Sequence, residues 1–544
     1  MTKRIVYANA EADDRVRRFV PPVRVVQESP DVKDSSVLIG KVNIQSYVHF
    51  DPPECVMPPG SSLILDFGIE LHGLLTVTSG RMQNSQLRVT LGESVSETLT
   101  TPTGDHAVHQ GTFPLPKLGT FEFGQSAFRF VRLEVPPEAG EVCLIGVCTT
   151  AVYRDWEYRG YFDSDDERLN RIWQVGAYTV QLNCQEYIYD GVKRDRLVWM
   201  GDLYPEVRTI LAAFGETALI MKSLDFMRDH TPHDKWMNTA SSYSCWWIIC
   251  HYDLYLYAGD AAYLREQKSA MIELLNRLIG CVNNEGFETL TEWRFLDWST
   301  ADDPIAKHAG LQGLLAWTLS CGTVLAVELG ENAVAERCRA AAARLRTQSP
   351  DCDGNKIAAA MQILGGVGDA RTLNESIMRR DPNNGISTFY GYFVLQARAL
   401  AGDTGGALDV IRDYWGGMLD FGATTFWEDF GLDWTANAYG IDSLPVPGKK
   451  DIHGDFGKYC YTGFRHSLCH GWAGGPTAFL NEKVLGIYPV APGFREVRIN
   501  PYPGKFTRID GAQPTPYGDI EISIRRSGDK ITKKVKLPKE IREL

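Results

Sequence analysis

Over the first 150 or so residues apolar and polar positions alternate in short runs broken by glycine, proline and serine: SSLILDFGIELHGLLTVTSG, SQLRVTLGES, AFRFVRLEV and VCLIGVCTTAVYR. Alternation with a period of two buries one face of a strand, and the turn residues let neighbouring strands pair. Residues 1–160 are therefore expected to form a β-sandwich. From about Ser164 the period changes. Apolar residues now recur three and four apart, as at Leu203, Val207, Ile210, Leu211 and Phe214, and the pattern predicts helices as far as about Leu485. Glycine followed by an acid interrupts it at Gly215, Gly259, Gly330, Gly368 and Gly402. Glycine suits the left-handed position after a helix and the acid suits the start of the next, so each pair predicts a corner between antiparallel helices. Residues 161–485 have room for roughly a dozen helices of ordinary length. A closed ring of six hairpins is the natural arrangement, with an open solenoid as the alternative that pattern alone allows. Alternation returns in the tail, where GDIEISIRRSGDKITKKVKLP reads as a hairpin. The expected fold class is multidomain: a central (α/α)6 barrel flanked by an N-terminal β-sandwich and a C-terminal one at 486–544, packed together because no flexible linker separates them.

Composition narrows the partners. Hydrophobic residues make up 44% and charged residues 23%, enough for a large core, while 56 Lys+Arg against 68 Asp+Glu leave a net charge of −12. Such a surface repels phosphate backbones and anionic lipid, so neither nucleic acid nor membrane is expected as a partner. The basic opening lacks the apolar core of a signal peptide, no later run was read as long enough to span a bilayer, and the default location is the cytoplasm. Twelve cysteines are scattered without CxxC or zinc spacing and read as reduced, buried small hydrophobes. His230 and His233 are the nearest thing to a ligand pair and read as a solvated loop. No metal and no cofactor are expected, and there is no GxxxxGK[ST] for a nucleotide. A seam between the β-domains and the barrel would suit a homodimer; the sequence does not decide the oligomeric state.

Three stretches combine carboxylates with tryptophan: DGVKRDRLVWMGD (Asp190–Asp202), TLTEWRFLDWSTADDP with Glu292, Trp293, Asp297 and Trp298, and FGATTFWEDFGLDW with Trp427, Glu428, Asp429, Asp433 and Trp434. Carboxylates accept hydrogen bonds from vicinal hydroxyls and aromatic rings cover the C–H faces of a pyranose, so together they describe a sugar site. Two further carboxyls on opposite sides of a glycosidic bond supply a general acid and a general base. Bland readings stand beside these. Asp202 could simply cap the helix it precedes, Lys193, Arg194 and Arg196 could pair with aspartates on a solvated face, Trp246 and Trp247 read as core, and a lone His470 is more often structural.

The stretch DGVKRDRLVWMGD resembles the signature of glycoside hydrolase family 78, the α-L-rhamnosidases, in which Asp-Cys-Pro-x-Arg-Glu or Asp-Cys-Pro-x-Arg-Asp-Glu leads to Trp-x-Gly-Asp. LDFGIELHGLLTV, YFDSDDERLNRIWQVGAYTVQLN, FLDWS, GATTFWE, SLCHGWAGGP and VLGIYPVAPGFREVRINPYPG extend the resemblance collinearly over nearly the whole chain. The resemblance implies a barrel that hydrolyses terminal α-L-rhamnosides with inversion. It implies Asp195 as general acid and Glu428 as general base, Asp190, Arg194 and Asp202 on the sugar, Trp199, Trp298 and Trp427 as walls, and His470 as a contact. Two departures stand out: Cys-Pro is Gly191-Val192 here, and the acid is an aspartate, one methylene shorter than glutamate. The expected partner is a small rhamnosyl oligosaccharide or glycoside. The alternatives are a hydrolase of the same fold for another deoxy-sugar or a uronic-acid-linked substrate, helped by the basic residues, and a catalytically silent sugar-binding protein.

Overall fold

Alternation in Ser62–Ser79 produces the longest strand of the chain, 18 residues whose register slips between Asp66 and Leu71 and again between Gly73 and Leu75. Such bulges bend a strand. In the computed structural model, which describes residues 12–48, 53–82, 85–101, 107 and 109–544, this strand joins its neighbours in one continuous eight-stranded sheet, where the sequence pattern predicted two sheets. The bends let it wrap its own core, built on Leu63, Leu65, Val77, Val89, Phe128, Val131 and Leu144. Residues 1–11 of the opening segment read for a signal peptide lie outside the described residues.

Six helices follow in a cycle: α1 (Leu203–Ala213), α2 (Ser241–Ala258), α3 (Pro304–Glu328), α4 (Lys356–Gly365), α5 (Gly391–Leu400) and α6 (Gly475–Phe479). Each packs on the next, and α6 packs back on α1. Glu167–Asn183, Ala218–His230, Lys268–Gly280 and Asn332–Leu345 alternate with them along the chain. The inner helices are apolar on nearly every face, as buried helices must be. Trp246 and Trp247 on α2 are fully buried. Helix α3 corrects one expectation, because its 25 residues are long and apolar enough to span a membrane. It packs against α2, α4, Lys268–Gly280 and Asn332–Leu345, which is the environment of a core helix.

The glycine corners vary in detail. Gly259 takes φ 71° after α2, and Asp260 caps the following helix by accepting from the Ala262 and Tyr263 amides. Gly215, Gly330 and Gly402 are also left-handed, but Gly368 is not; Gly366 ends α4 instead, and Asp369 caps the next turn.

After Gly486 two small sheets form. One pairs Ile487–Pro489, Glu496–Ile499 and Arg542–Glu543; the other orders Lys530–Lys536, Ile520–Ser527, Arg508–Gln513 and Tyr161–Ser164. Tyr161–Ser164, expected at the start of the helical segment, is thus an edge strand of the C-terminal sheet. Its Phe162 and Ser164 stand opposite Gly511 and Ile509. The C-terminal sheets share one hydrophobic core with the helical ring, whereas the N-terminal sheet keeps its own. Between α5 and α6 a helix over residues 404–420, with a π segment at Ile411–Trp415, is followed by a long stretch with only short elements, which brings Glu428, Tyr461 and His470 to one end of the ring.

Candidate active site

The loop from Asp190 to Asp202 is pinched at its base. The Asp190 amide donates to the Leu197 carbonyl at 3.1 Å, and the Leu197 amide returns to Asp190 Oδ1 at 3.0 Å. Inside the pinch Asp195 and Arg196 have φ of 61° and 54°, left-handed values that cost a non-glycine residue energy and that cluster at functional sites. The tight turn aims Arg194 inward. Its Nη2 donates to both oxygens of Glu428 at 2.6 and 2.5 Å, Nη1 donates to Asp195 Oδ2 at 2.8 Å, and Nε donates to the Arg465 carbonyl at 2.7 Å. These acceptors outweigh burial and hold the guanidinium's pKa above its ordinary value.

Glu428 also accepts from the Ser467 amide at 3.0 Å, and its backbone carbonyl takes Trp472 Nε1 at 3.1 Å and the Thr388 hydroxyl at 2.6 Å. The glutamate is 3% exposed, so its carboxylate is fixed by donors on several sides. His470 bridges inward, with Nε2 3.2 Å from Asp202 Oδ1 and Nδ1 3.6 Å from Glu428 Oε1. Burial works against charge on the imidazole, but Glu428 and Asp202 prevail and its pKa is raised. Asp202 makes no capping bond to α1; its carboxylate takes His470 and the Tyr243 hydroxyl instead. Burial pushes the carboxyls of Asp190 and Asp202 up, each opposed by His470.

Asp190, Arg194, Asp195, Trp199, Asp202, Trp298, Glu428 and His470 all line one cavity of about 240 Å³, a volume suited to one small ligand. Trp427 does not. It is fully buried, packed edge-on against Phe430 and near His466, while the neighbouring Glu428 takes the cavity side. Asp297 closes a capping box with Thr300, and Trp434 stacks on Phe456 in the core. Lys193, read with a solvated face, is 1% exposed.

Trp293, from the second tryptophan-bearing stretch, lines the cavity as well, but sequence reasoning missed other walls: Tyr243, Phe295, Cys460, Tyr461, Arg465 and Trp472 complete the lining. Trp199 meets Tyr243 edge-on at 6.0 Å, Trp298 meets Phe295 at 5.2 Å, and Trp472 stacks on Phe389 at 4.7 Å. A second cavity of about 460 Å³ lies beyond the Trp298 and Tyr459 rings, lined by Asp429, Asp433 and Lys458 among others; burial pushes Asp429 up to about 6. All twelve cysteines are free, and all but Cys460 are buried.

Residues 157–347 match the bacterial alpha-L-rhamnosidase 6 hairpin glycosidase domain, and residues 486–542 match the bacterial alpha-L-rhamnosidase C-terminal domain. A curated alpha-L-rhamnosidase of Alteromonas sp. (strain LOR) is 23% identical, covering 88% of this chain and 55% of its own length. This chain therefore spans about half the length of that relative. A GH78 family rhamnosidase of Bacillus sp. GL1 is similar with a TM-score of 0.72 at 22% identity, over 91% of this chain and 55% of its own. A Klebsiella oxytoca rhamnosidase with rhamnose bound gives 0.69 at 22% identity, over 86% of this chain and 96% of its own. At these identities the structural likeness concerns the fold.

Proposed function

Because the chain belongs to the α-L-rhamnosidases of glycoside hydrolase family 78, we propose that it removes terminal α-L-rhamnose from a glycoside or short oligosaccharide with inversion. We further propose that its ring is a closed (α/α)6 barrel, flanked on one side by the N-terminal sheet wrapped around its own core and on the other by the C-terminal sheets. The observation that carries the functional reading is the Arg194 fork: one guanidinium holds Glu428 on one arm and Asp195 on the other, both at the wall of the aromatic-lined cavity.

In the proposed reaction the sugar's hydroxyls bond Asp190, Asp202 and His470, while Trp199, Trp298 and Trp472 cover its C–H faces and C5 methyl. Asp195 Oδ2 accepts from Arg194, which leaves Oδ1 to carry a proton to the leaving oxygen. As the bond from the anomeric carbon to that oxygen breaks, a water oxygen bonds the carbon from the opposite face and gives its proton to Glu428. Inversion needs roughly 6.5–9.5 Å between the two carboxyls to admit that water.

Hydrolysis of p-nitrophenyl α-L-rhamnopyranoside, with proton NMR of the first sugar released, tests the proposal. Initial β-L-rhamnose, lost in Asp195→Asn and Glu428→Gln, is expected; initial α-rhamnose refutes inversion. The pairing of Asp195 with Arg194 favours a second reading, a site that binds sugar without cutting it, since a carboxylate engaged by a guanidinium is a poor proton donor from that oxygen. Saturable rhamnose binding by calorimetry without turnover selects it.

A further inference from the structure

One cation in the catalytic loop serves no purpose in that chemistry. Lys193 turns away from the cavity and is buried in the seam with the N-terminal sheet. Its ammonium lies 2.7 Å from Glu97 and 3.1 Å from Glu93, both from the N-terminal domain, and donates to the carbonyls of Phe464 at 2.8 Å and His466 at 3.1 Å. Glu93, Glu97 and His453 have atoms within 4.8 Å of one another, close enough to hold a metal, but Lys193 supplies the positive charge there. The preceding Val192 packs with Ala127 of the N-terminal sheet. Gly191 and Val192, which depart from the family's Cys-Pro, thus lead into Lys193 on the side of the loop that meets this seam.

Glu93 holds more than the lysine. Its carboxylate accepts from the Leu468 amide at 2.7 Å and the Ser467 hydroxyl at 3.1 Å, and the Ser467 amide in turn donates to Glu428 at 3.0 Å. Ser94 Oγ lies 2.8 Å from His453 Nδ1, whose other nitrogen meets the His466 carbonyl at 2.9 Å. The segment from Phe464 to Leu468 is therefore gripped from the N-terminal domain on several sides, two residues before His470. Lys193 itself is bonded in sequence to Arg194, the group that clamps both carboxylates.

We propose that Lys193 is a positioning residue: its ammonium, counter-charged by Glu93 and Glu97, makes the N-terminal domain part of the catalytic site by fixing Arg194 and the Ser467 amide around Glu428. This rests on the reading of Glu428 as general base. Loss of the cation removes the counter-charge that Glu93 and Glu97 share and loosens the clamp.

The test compares the full chain with Lys193→Met, which keeps an unbranched side chain only slightly shorter, and with Glu97→Gln, which leaves the Glu93 pair in place and guards against a fold lost in the first variant. With each variant's folded fraction set by circular dichroism, Lys193→Met is expected to lower kcat on the aryl rhamnoside by at least tenfold with KM changed less than threefold, and Glu97→Gln to lower kcat in the same way by less. A loss of kcat that lost folded protein alone accounts for overturns the proposal. Hydrogen exchange at residues 464–470 gives a readout independent of turnover: faster exchange there by tenfold or more in both variants supports the tether, and unchanged protection rejects it even if the parent cleaves no rhamnoside. An inactive parent with sensitive exchange refutes the hydrolase reading and leaves the tether standing.

Discussion

Helix α1 carries two buried charged clusters that differ in what completes them. Two turns into it, Arg208 gives Nε to Glu482, Nη2 to the Tyr257 hydroxyl at 2.7 Å and Nη1 to Asp253 at 3.0 Å. Glu482 accepts as well from Gln396 at 2.5 Å and Tyr392 at 3.3 Å. Protein supplies the partners, and the result is a closed knot of charge. At the start of the same helix the cavity sets Asp190, Asp195, Asp202 and Glu428 against Arg194, Arg465 and His470. Behind them Glu206 has no hydrogen-bond partner on either oxygen, and His470 Nδ1 has none, among the described residues. A buried polar atom without a partner costs free energy, so the cluster at the mouth is built to be completed from outside. The first kind of cluster holds the ring together; the second is tolerated for the sake of a ligand.

The contrast can be broken at either end. The largest effect is expected of Glu428→Gln, which removes the proposed proton acceptor and lowers kcat by roughly a thousandfold while the protein still melts cooperatively. A variant that keeps more than a tenth of the parent's rate removes Glu428 from the mechanism. Next comes Arg208→Met, which strands Glu482 and Asp253 and costs about 3–5 kcal/mol of stability in denaturant titration. The double variant Arg208→Met/Glu482→Gln recovers part of that, and a single variant as stable as the parent shows that the knot is not structural.

Glu206→Gln sharpens the comparison from the other side. Burial, with Asp202 and Asp190 adding to it, pushes the Glu206 carboxyl well above its ordinary range. A group whose pKa rises on folding contributes stability below its unfolded pKa and loses it as pH climbs through the folded value. The variant should match the parent near pH 4 and exceed it by about 1–2 kcal/mol at alkaline pH; a parent more stable at every pH means that Glu206 has found a partner. The smallest effect is expected at His470, whose pKa is raised by Glu428 and Asp202 against burial. Its imidazolium contacts are present below about 6.5 and fade as pH rises through the raised value, so the melting advantage of the parent over His470→Gln should shrink between pH 6 and pH 9. An advantage constant with pH argues for packing alone.

Much of this was legible in the chain, and the exceptions have physical causes. Asp190, Arg194, Asp195, Trp199 and Asp202 fell in one short stretch that a pinched loop keeps together, so nearness in sequence became nearness in space. Trp427 looked equivalent to Trp298, but its ring packs into the core against Phe430 while the adjoining Glu428 faces the cavity. Tyr461 and Arg465 stand in YCYTGFRHSLCHGW, an aromatic stretch leading to His470 that could have drawn attention. Tyr243 offered no such signal, because α2 is apolar all round and nothing in it marks which ring meets the cavity. The single N-terminal sheet was hidden because strand alternation reports which face is buried and is silent on where a bulge turns one sheet around itself.

The edge strand Tyr161–Ser164 gives the molecule a particular order of assembly. The N-terminal sheet has all its strands once Tyr153 has been made, so it can fold while the remainder is still on the ribosome. The strand that leads into the ring finds its hydrogen-bond partners only in Arg508–Gln513, some 345 residues later. The helix that follows it, Glu167–Asn183, packs on Gly475–Phe479 as well, so that face is covered only once the last helix of the ring has been made.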